Sequence, residues 1–227
     1  MIPRASARFF FSLLAVLLAS PAWATPTLID LSAEASRPAA NDLARATVFA
    51  EASGATPGEL ANRIKGLMTE GLKIAKGYAT VKMQSSGTST YPVYAKGGKI
   101  ESWRMRSELT LESSDTAALS ELLGKLQASL GVSSLAMLPA PETRKNAENE
   151  AMLDAVNAFK SRAKLLADTL GKSYRIKQLS VNSSGRTPVM PMMRASASFA
   201  ADAAPMPMEG GDSQVTVNVT GQIELLE

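Results

Sequence analysis

The side chains with the most distinctive chemistry in this 227-residue chain are sulfurs. Met190, Met192 and Met193 lie on one side of a Pro- and Ala-rich stretch, and Met206 and Met208 on the other. Thioether sulfur is a soft donor that suits Cu(I), and it is also oxidisable. These five are the candidate soft-metal ligands. The competing reading, which the sequence favours, is that they pack a Pro-rich loop onto an apolar groove of this subunit or a neighbour, as adaptable methionines do. Two further groups carry charge. Arg104 and Arg106 share one face of a strand with Glu108 and Glu112. They suit either bidentate grip on an anion or cross-strand ion pairing, and the second is the more common outcome. Glu148, Glu150 and Asp154 cluster near the start of a long helix. Facing each other across a cleft, two such acids could hydrolyse a glycoside, but on one helix they complement its dipole. Lys160, Arg162 and Lys164 continue the same gradient.

What is missing narrows the chemistry further. The chain has no histidine and no cysteine. That removes Ser-His-Asp and Cys-His catalysis, zinc sites of the usual His/Cys kind, c-type haem attachment and disulfides. The expectation is a non-catalytic protein with no catalytic or cofactor-binding residues, no cofactor and no assigned metal.

The N-terminus reads as an export tag. Arg4 and Arg8 precede the apolar run Phe9–Ser20, Pro21 breaks it, and Ala22-Trp23-Ala24 forms a small-x-small box. That order is what a cleavable secretory signal needs. At twelve residues the run falls short of the ~20 that span a bilayer. Cleavage is expected between Ala24 and Thr25, giving a periplasmic or secreted protein with no transmembrane segment after signal removal. The tag takes two arginines with it, leaving 22 basic residues against 21 acids. A near-neutral protein lacks the dense positive field that nucleic acid requires, and a basic patch for anionic lipid is not evident in the sequence.

The elements that must position these groups follow from periodicity. Leu28–Ser36, ended by Arg37-Pro38, and Ala44–Ser53 read as strands. Thr56-Pro57-Gly58-Glu59 opens a helix with a cap, a proline at the first position and an acid three residues after the cap. Its stripe is Leu60, Ile64, Leu67, Met68, Leu72 and Ala75, and Gly77 stops it. Ala79–Gln84 is a strand, followed by the turn-rich Ser85–Thr90. Ile100–Glu112 alternates most clearly, with Trp103, Met105, Leu109 and Leu111 inward and the charged residues outward. Tyr91 and Tyr94 flank its approach and suit either stacking on a ligand or pinning the loop. Asp115 caps a helix over Thr116–Leu130, and Val132–Leu138 is a short strand. A long helix runs from about Glu142 to Leu170, with Met152, Ala155, Val156, Phe159, Ala163, Leu166, Ala167 and Leu170 at helical spacing. Tyr174–Asn182 is a strand, residues 185–211 are a flexible Met/Pro-rich loop, and Gln214–Leu226 alternates to the end. The order β-β-α-β-β-α-β-α-β-β, with long mixed or antiparallel strands packed against three amphipathic helices, is an α+β fold in one intertwined domain over 25–227.

These features, in this order, resemble the SIMPL-domain (DUF541) family. The resemblance rests on Tyr91-Pro92-Val93-Tyr94 with the glycine turn and long strand after it, and on the leucine helix after Asp115. It rests also on Glu150-Ala151, Ala155-Val156 and Lys164-Leu165-Leu166-Ala167 of the long helix, the Pro/Met loop, and the final strand Val215–Leu226. The resemblance implies an exported bacterial protein without established enzymatic activity. It also implies association with stress defence, including oxidative stress, and a homo-oligomer or an envelope protein as partner.

Overall fold

The computed structural model describes residues 26–184 and 210–226. The predicted signal with its Ala24–Thr25 cleavage point, the five loop methionines and most of the Met/Pro-rich loop lie outside them.

Ten elements run in the expected order: β1 (Leu28–Ala40), β2 (Leu43–Gly54), α1 (Pro57–Ala75), β3 (Lys82–Tyr94), β4 (Ile100–Ser113), α2 (Thr116–Leu126), β5 (Gly131–Leu138), α3 (Pro141–Thr169), β6 (Ser173–Ser184) and β7 (Asp212–Leu226). They make two antiparallel sheets. One has the order β3-β4-β2-β5 and the other β1-β7-β6. The four-stranded sheet is built from consecutive chain. The three-stranded one joins the first strand to the last, pairing Leu28 with Glu224 and Ala40 with Asp212.

The four-stranded half has the richer core. Ala44, Ala46, Val48, Ala50 and Ala52 of β2 and Met105, Leu109 and Leu111 of β4 point to one side. Against them lie Leu60 and Ile64 of α1 and Leu119, Leu122, Leu123 and Leu126 of α2. Both helices start where their capping residues dictate. The Thr56 hydroxyl accepts from the Glu59 amide at 3.4 Å and the Asp115 carboxylate from the Ala118 amide at 3.0 Å. Each cap satisfies one of the orphan amides of a first turn. Ser113, although buried, donates to the Thr80 carbonyl at 2.9 Å and accepts from the Asp115 amide at 3.0 Å. Residues 127–130 leave the helix, so α2 ends four residues earlier than its leucine stripe suggests. Leu130 remains in the core and fills the space beside Gly71, where a Cβ would stand 2.7 Å from its Cδ1.

The three-stranded half packs one helix. The buried stripe of α3 is Ala147, Ala151, Ala155, Phe159, Ala163 and Ala167, a strict step of four. It lies on Ala33, Val217, Val219, Ile223 and Leu225. The stripe expected from apolar spacing is shifted here. Leu170 is 54% exposed, and Leu153 and Leu165 point outward at 66% and 67%. Alanines let the helix axis approach the sheet closely, so bulky residues are excluded from the seam except for Phe159.

Three strand segments differ from the sequence expectation. Residues 79–81, expected as strand, form a turn that leads into β3. Ser85–Thr90 is strand rather than turn. As the outer strand of its sheet, β3 tolerates turn-forming residues through a bulge between Ser85 and Gly87, and its hydroxyls bond across to β4, Ser86 with Thr110 at 2.5 Å and Thr88 with Ser107 at 2.9 Å. Strand β1 also runs on through Pro38, which an outer strand accepts because the missing N–H faces away from the ladder.

A two-residue corner joins the halves. The Asn41 side chain, buried, donates to the Gly210 carbonyl at 2.9 Å and accepts from Ser213 Oγ at 2.7 Å. Asp42 receives the Ala140 amide at 2.6 Å and the Thr143 hydroxyl at 2.5 Å. Ala140 occupies the cap position of α3 and has no side chain to cap with. Asp42 therefore supplies, from β1–β2, the anion that a helix N-terminus favours. The Thr143 hydrogen bond, then that of the Ala140 amide, holds its carboxyl below the ordinary aspartate value.

Candidate functional site

Two open sheet faces carry the polar side chains. On the four-stranded sheet, antiparallel register sets Arg45 opposite Glu112 and Glu51 opposite Arg106. Arg45 Nε meets Glu112 Oε1 at 2.6 Å, and Arg106 Nε donates to Glu108 Oε1 at 2.8 Å. Glu51 sits between Arg106 at 3.6 Å and Arg104 at 3.8 Å. The Arg106 guanidinium also lies 3.7 Å over the Phe49 ring. That ring in turn crosses Gly131, where a Cβ would come within 2.5 Å of it. Arg104 and Arg106 thus come together as expected, but with Glu51, which the sequence did not single out, between them. The face is a charge-balanced ladder worth a few tenths of a kcal/mol per pair. A free anion would have to displace Glu51.

The acids of α3 do not face one another. Asp154 takes Arg37 of β1 at 2.6 Å and Glu150 approaches the same guanidinium at 4.0 Å. Farther along, Arg162 donates to the Ser32 carbonyl of β1, and Lys164 pairs with Asp168 at 2.7 Å. The helix is riveted to β1 by its charges. No cleft separates Glu148, Glu150 and Asp154, which share one helix. Among the described residues no group of three or more Asp or Glu is placed to hold a metal ion.

The open face of the three-stranded sheet holds a shallow depression of about 400 Å³, lined chiefly by Asp30, Ser32, Gln178, Ser180, Thr220 and Gln222. The β1–β7 pairing brings Gln222 Nε2 to Asp30 Oδ1 at 3.1 Å. Gly221 on its floor has no room for a side chain on the helix side. A Cβ would stand 2.5 Å from the Gln178 carbonyl and 3.0 Å from Phe159 Cζ. Hydroxyls and amides here can hydrogen-bond a neutral polar molecule. The nearest titratable group, the Asp30 carboxyl, is already engaged by Gln222. Sequence reasoning missed this depression because its residues come from three strands up to 192 positions apart. The only local trace is the Thr/Gln alternation on the wet side of β7.

Tyr91 and Tyr94 do not pin their loop. They are 40% and 59% exposed on the β3–β4 hairpin. No helix among the described residues is long and apolar enough to cross a membrane.

Comparison with known proteins adds one firm result. No curated protein matches the chain. Among solved structures, AtUAH in complex with glyoxylate is 14% identical over 48% of this chain and 29% of that one, with a TM-score of 0.28. A putative amidohydrolase/peptidase from Burkholderia cenocepacia is 14% identical over 52% and 33%, with a TM-score of 0.25. The chain spans only about a third of the length of these proteins, and at such scores they carry no argument about its chemistry. The match that does is to a family model, SIMPL, a protein of unknown function (DUF541), which covers residues 29–223 from β1 to β7. The chain belongs to the SIMPL family.

Proposed function

We propose that this SIMPL protein works in the bacterial periplasm or outside the cell, without catalysis, by assembling with copies of itself, in a role in stress defence. The N-terminal Arg/apolar/Ala-Trp-Ala order supports export. A chain without histidine or cysteine supports the absence of an enzyme, and the ion-paired acids of α3 agree with it. The role in stress rests on the family resemblance.

The observation that carries assembly is the outer edge of β6. Strand edges invite pairing with another chain unless charge, proline, bulges or brevity blunt them. The other three sheet edges among the described residues are blunted. Strand β1 has Arg37 and Pro38, and its Ser32 carbonyl is taken by Arg162. Strand β3 has a bulge and Pro92, and β5 is eight residues long with a register shift opposite it. Strand β6 has twelve residues, and its bulge, between Ile176 and Gln178, and its charges, Arg175 and Lys177, all fall within its first five residues, so the stretch from Gln178 to Ser184 is left without either. Ile176, Leu179 and Val181 are each 38% exposed along it. A second copy pairing antiparallel through β6 would satisfy the free backbone groups and bury these three side chains twice over, as twofold interfaces do.

Light scattering on size-fractionated protein tests this. The wild-type chain is expected to gain mass with concentration, and Val181→Lys, which puts a charge in the edge, to remain one chain. A monomer at every concentration, or an oligomer indifferent to the lysine, overturns the reading.

A further inference from the structure

The β3–β4 hairpin reaches beyond its sheet. Pairing of β2 with β4 stops at Gly54 opposite Trp103, whereas β3 and β4 continue to Tyr94 opposite Ile100. A tight turn closes the ribbon. The Ala95 amide donates to the Lys99 carbonyl at 2.9 Å, and Gly97 and Gly98 take φ of +113° and +80°, conformations that glycine adopts without strain. At about 3.3 Å per residue the unsupported part of the ribbon is roughly 10 Å long.

Its side chains have one consistent chemistry. Tyr91, Tyr94 and Ile100 are 40%, 59% and 49% exposed, on a tip with no other described element over it. Lys96 and Lys99 flank the two glycines; Arg104, opposite Tyr91, is already paired with Glu51 at 3.8 Å. Glu101 is the one acid between residues 91 and 103, against these two lysines. Tyrosine is suited to an interface with one apolar and one wet side. Lysine stems lie along apolar surface while their ammonium groups reach phosphate.

We propose that this hairpin tip docks on an anionic phospholipid bilayer, with Tyr94 and Ile100 entering the headgroup boundary and Lys96 and Lys99 contacting lipid phosphate. The 10 Å reach matches the depth of about 5–10 Å at which interfacial elements sit. Charge complementarity selects an anionic surface over a neutral one. A protein partner fits poorly, because a specific interface buries about 800 Å² per side, more than a ten-residue tip offers. A bilayer asks for no shape complementarity. The tip is separate from β6, so the two sites can fail independently.

The test is flotation with vesicles, using the chain without residues 1–24, which keeps every described element. Vesicles of phosphatidylglycerol and phosphatidylcholine are expected to carry it upward, and vesicles of phosphatidylcholine alone to carry far less. Lys96→Gln with Lys99→Gln is expected to reduce binding to the anionic vesicles about thirtyfold, at roughly five- to sixfold per lysine. Tyr94→Ser with Ile100→Ser is expected to abolish binding that survives high salt. Both variants should keep the wild-type melting temperature, since the side chains they change are exposed. Equal flotation on neutral vesicles, no flotation, or variants that float like wild type overturn the proposal. So does a tip variant that changes the mass of the protein in solution without changing flotation.

Discussion

The two halves of this molecule solve the same packing problem with different success. The four-stranded sheet carries two helices whose leucines cover it, and its other face is a charge ladder in which Arg45, Arg104 and Arg106 each meet an anion. The three-stranded sheet carries one helix, seated on alanines around a single Phe159. Three strands at about 4.8 Å spacing make a ribbon wider than one helix, at 10–12 Å across, can cover at its margins. The charges of α3 fix the helix toward the β1 side, through Arg37–Asp154 and Arg162. Among the described residues the uncovered margin is then β6, where three apolar side chains and a backbone edge without a strand partner coincide. Surplus apolar edge is thus a consequence of giving a sheet one helix and anchoring it off centre.

Truncating each core should separate the two halves most strongly. Phe159→Ala is expected to cost about 4 kcal/mol, because the alanines around it have little side chain with which to fill the cavity. Leu122→Ala, among leucines that can shift, is expected to cost about 3 kcal/mol. Urea unfolding of both variants checks the order, and the reverse order would mean that the alanine seam collapses more readily than its geometry suggests.

The corner between the halves should respond less. Asp42→Asn is expected to cost about 1 kcal/mol or less, the lower part of the capping range, because the site is exposed. It has a pH signature. The folded-state pKa of Asp42 is lowered, so its contribution is fully present above the ordinary aspartate value of 3.8 and is lost as pH falls through the folded value. The wild-type advantage over Asp42→Asn should therefore shrink below pH 3.8 in acid unfolding followed by circular dichroism. An advantage constant down to the lowest pH would mean that the carboxylate charge plays no part. The smallest effect belongs to the ladder. Glu112→Gln is expected to cost a few tenths of a kcal/mol, a loss that high salt removes in chemical unfolding.

Much of this fold was legible in the sequence, because its signals are local. The ten elements stand in the expected order, Thr56 and Asp115 cap as their positions indicate, and β4 turns its Met105, Leu109 and Leu111 inward. Ser85–Thr90 misled because serine, glycine and threonine favour turns unless a neighbouring strand supplies hydroxyl partners, and Thr110 and Ser107 lie about twenty residues away. Leu170 misled because spacing alone cannot tell an alanine seam from a leucine one on α3. The cap that Asp42 gives to α3 and the depression around Gln222 depend on contacts 98 and 192 residues apart. The exposed edge of β6 was equally hidden. Its sequence reads as an ordinary strand, and only the sheet order shows that it has one neighbouring strand among the described residues.

Hydrogen exchange along β6 as a function of protein concentration tests the central claim most directly. Paired with β7 alone among the described strands, this strand should have fast-exchanging amides on its outer side in dilute protein. Those amides should slow as concentration rises, while the outer amides of β1 and β3 stay unchanged. Exchange on β6 that is independent of concentration, or protection that grows on another edge instead, would contradict assembly through this strand.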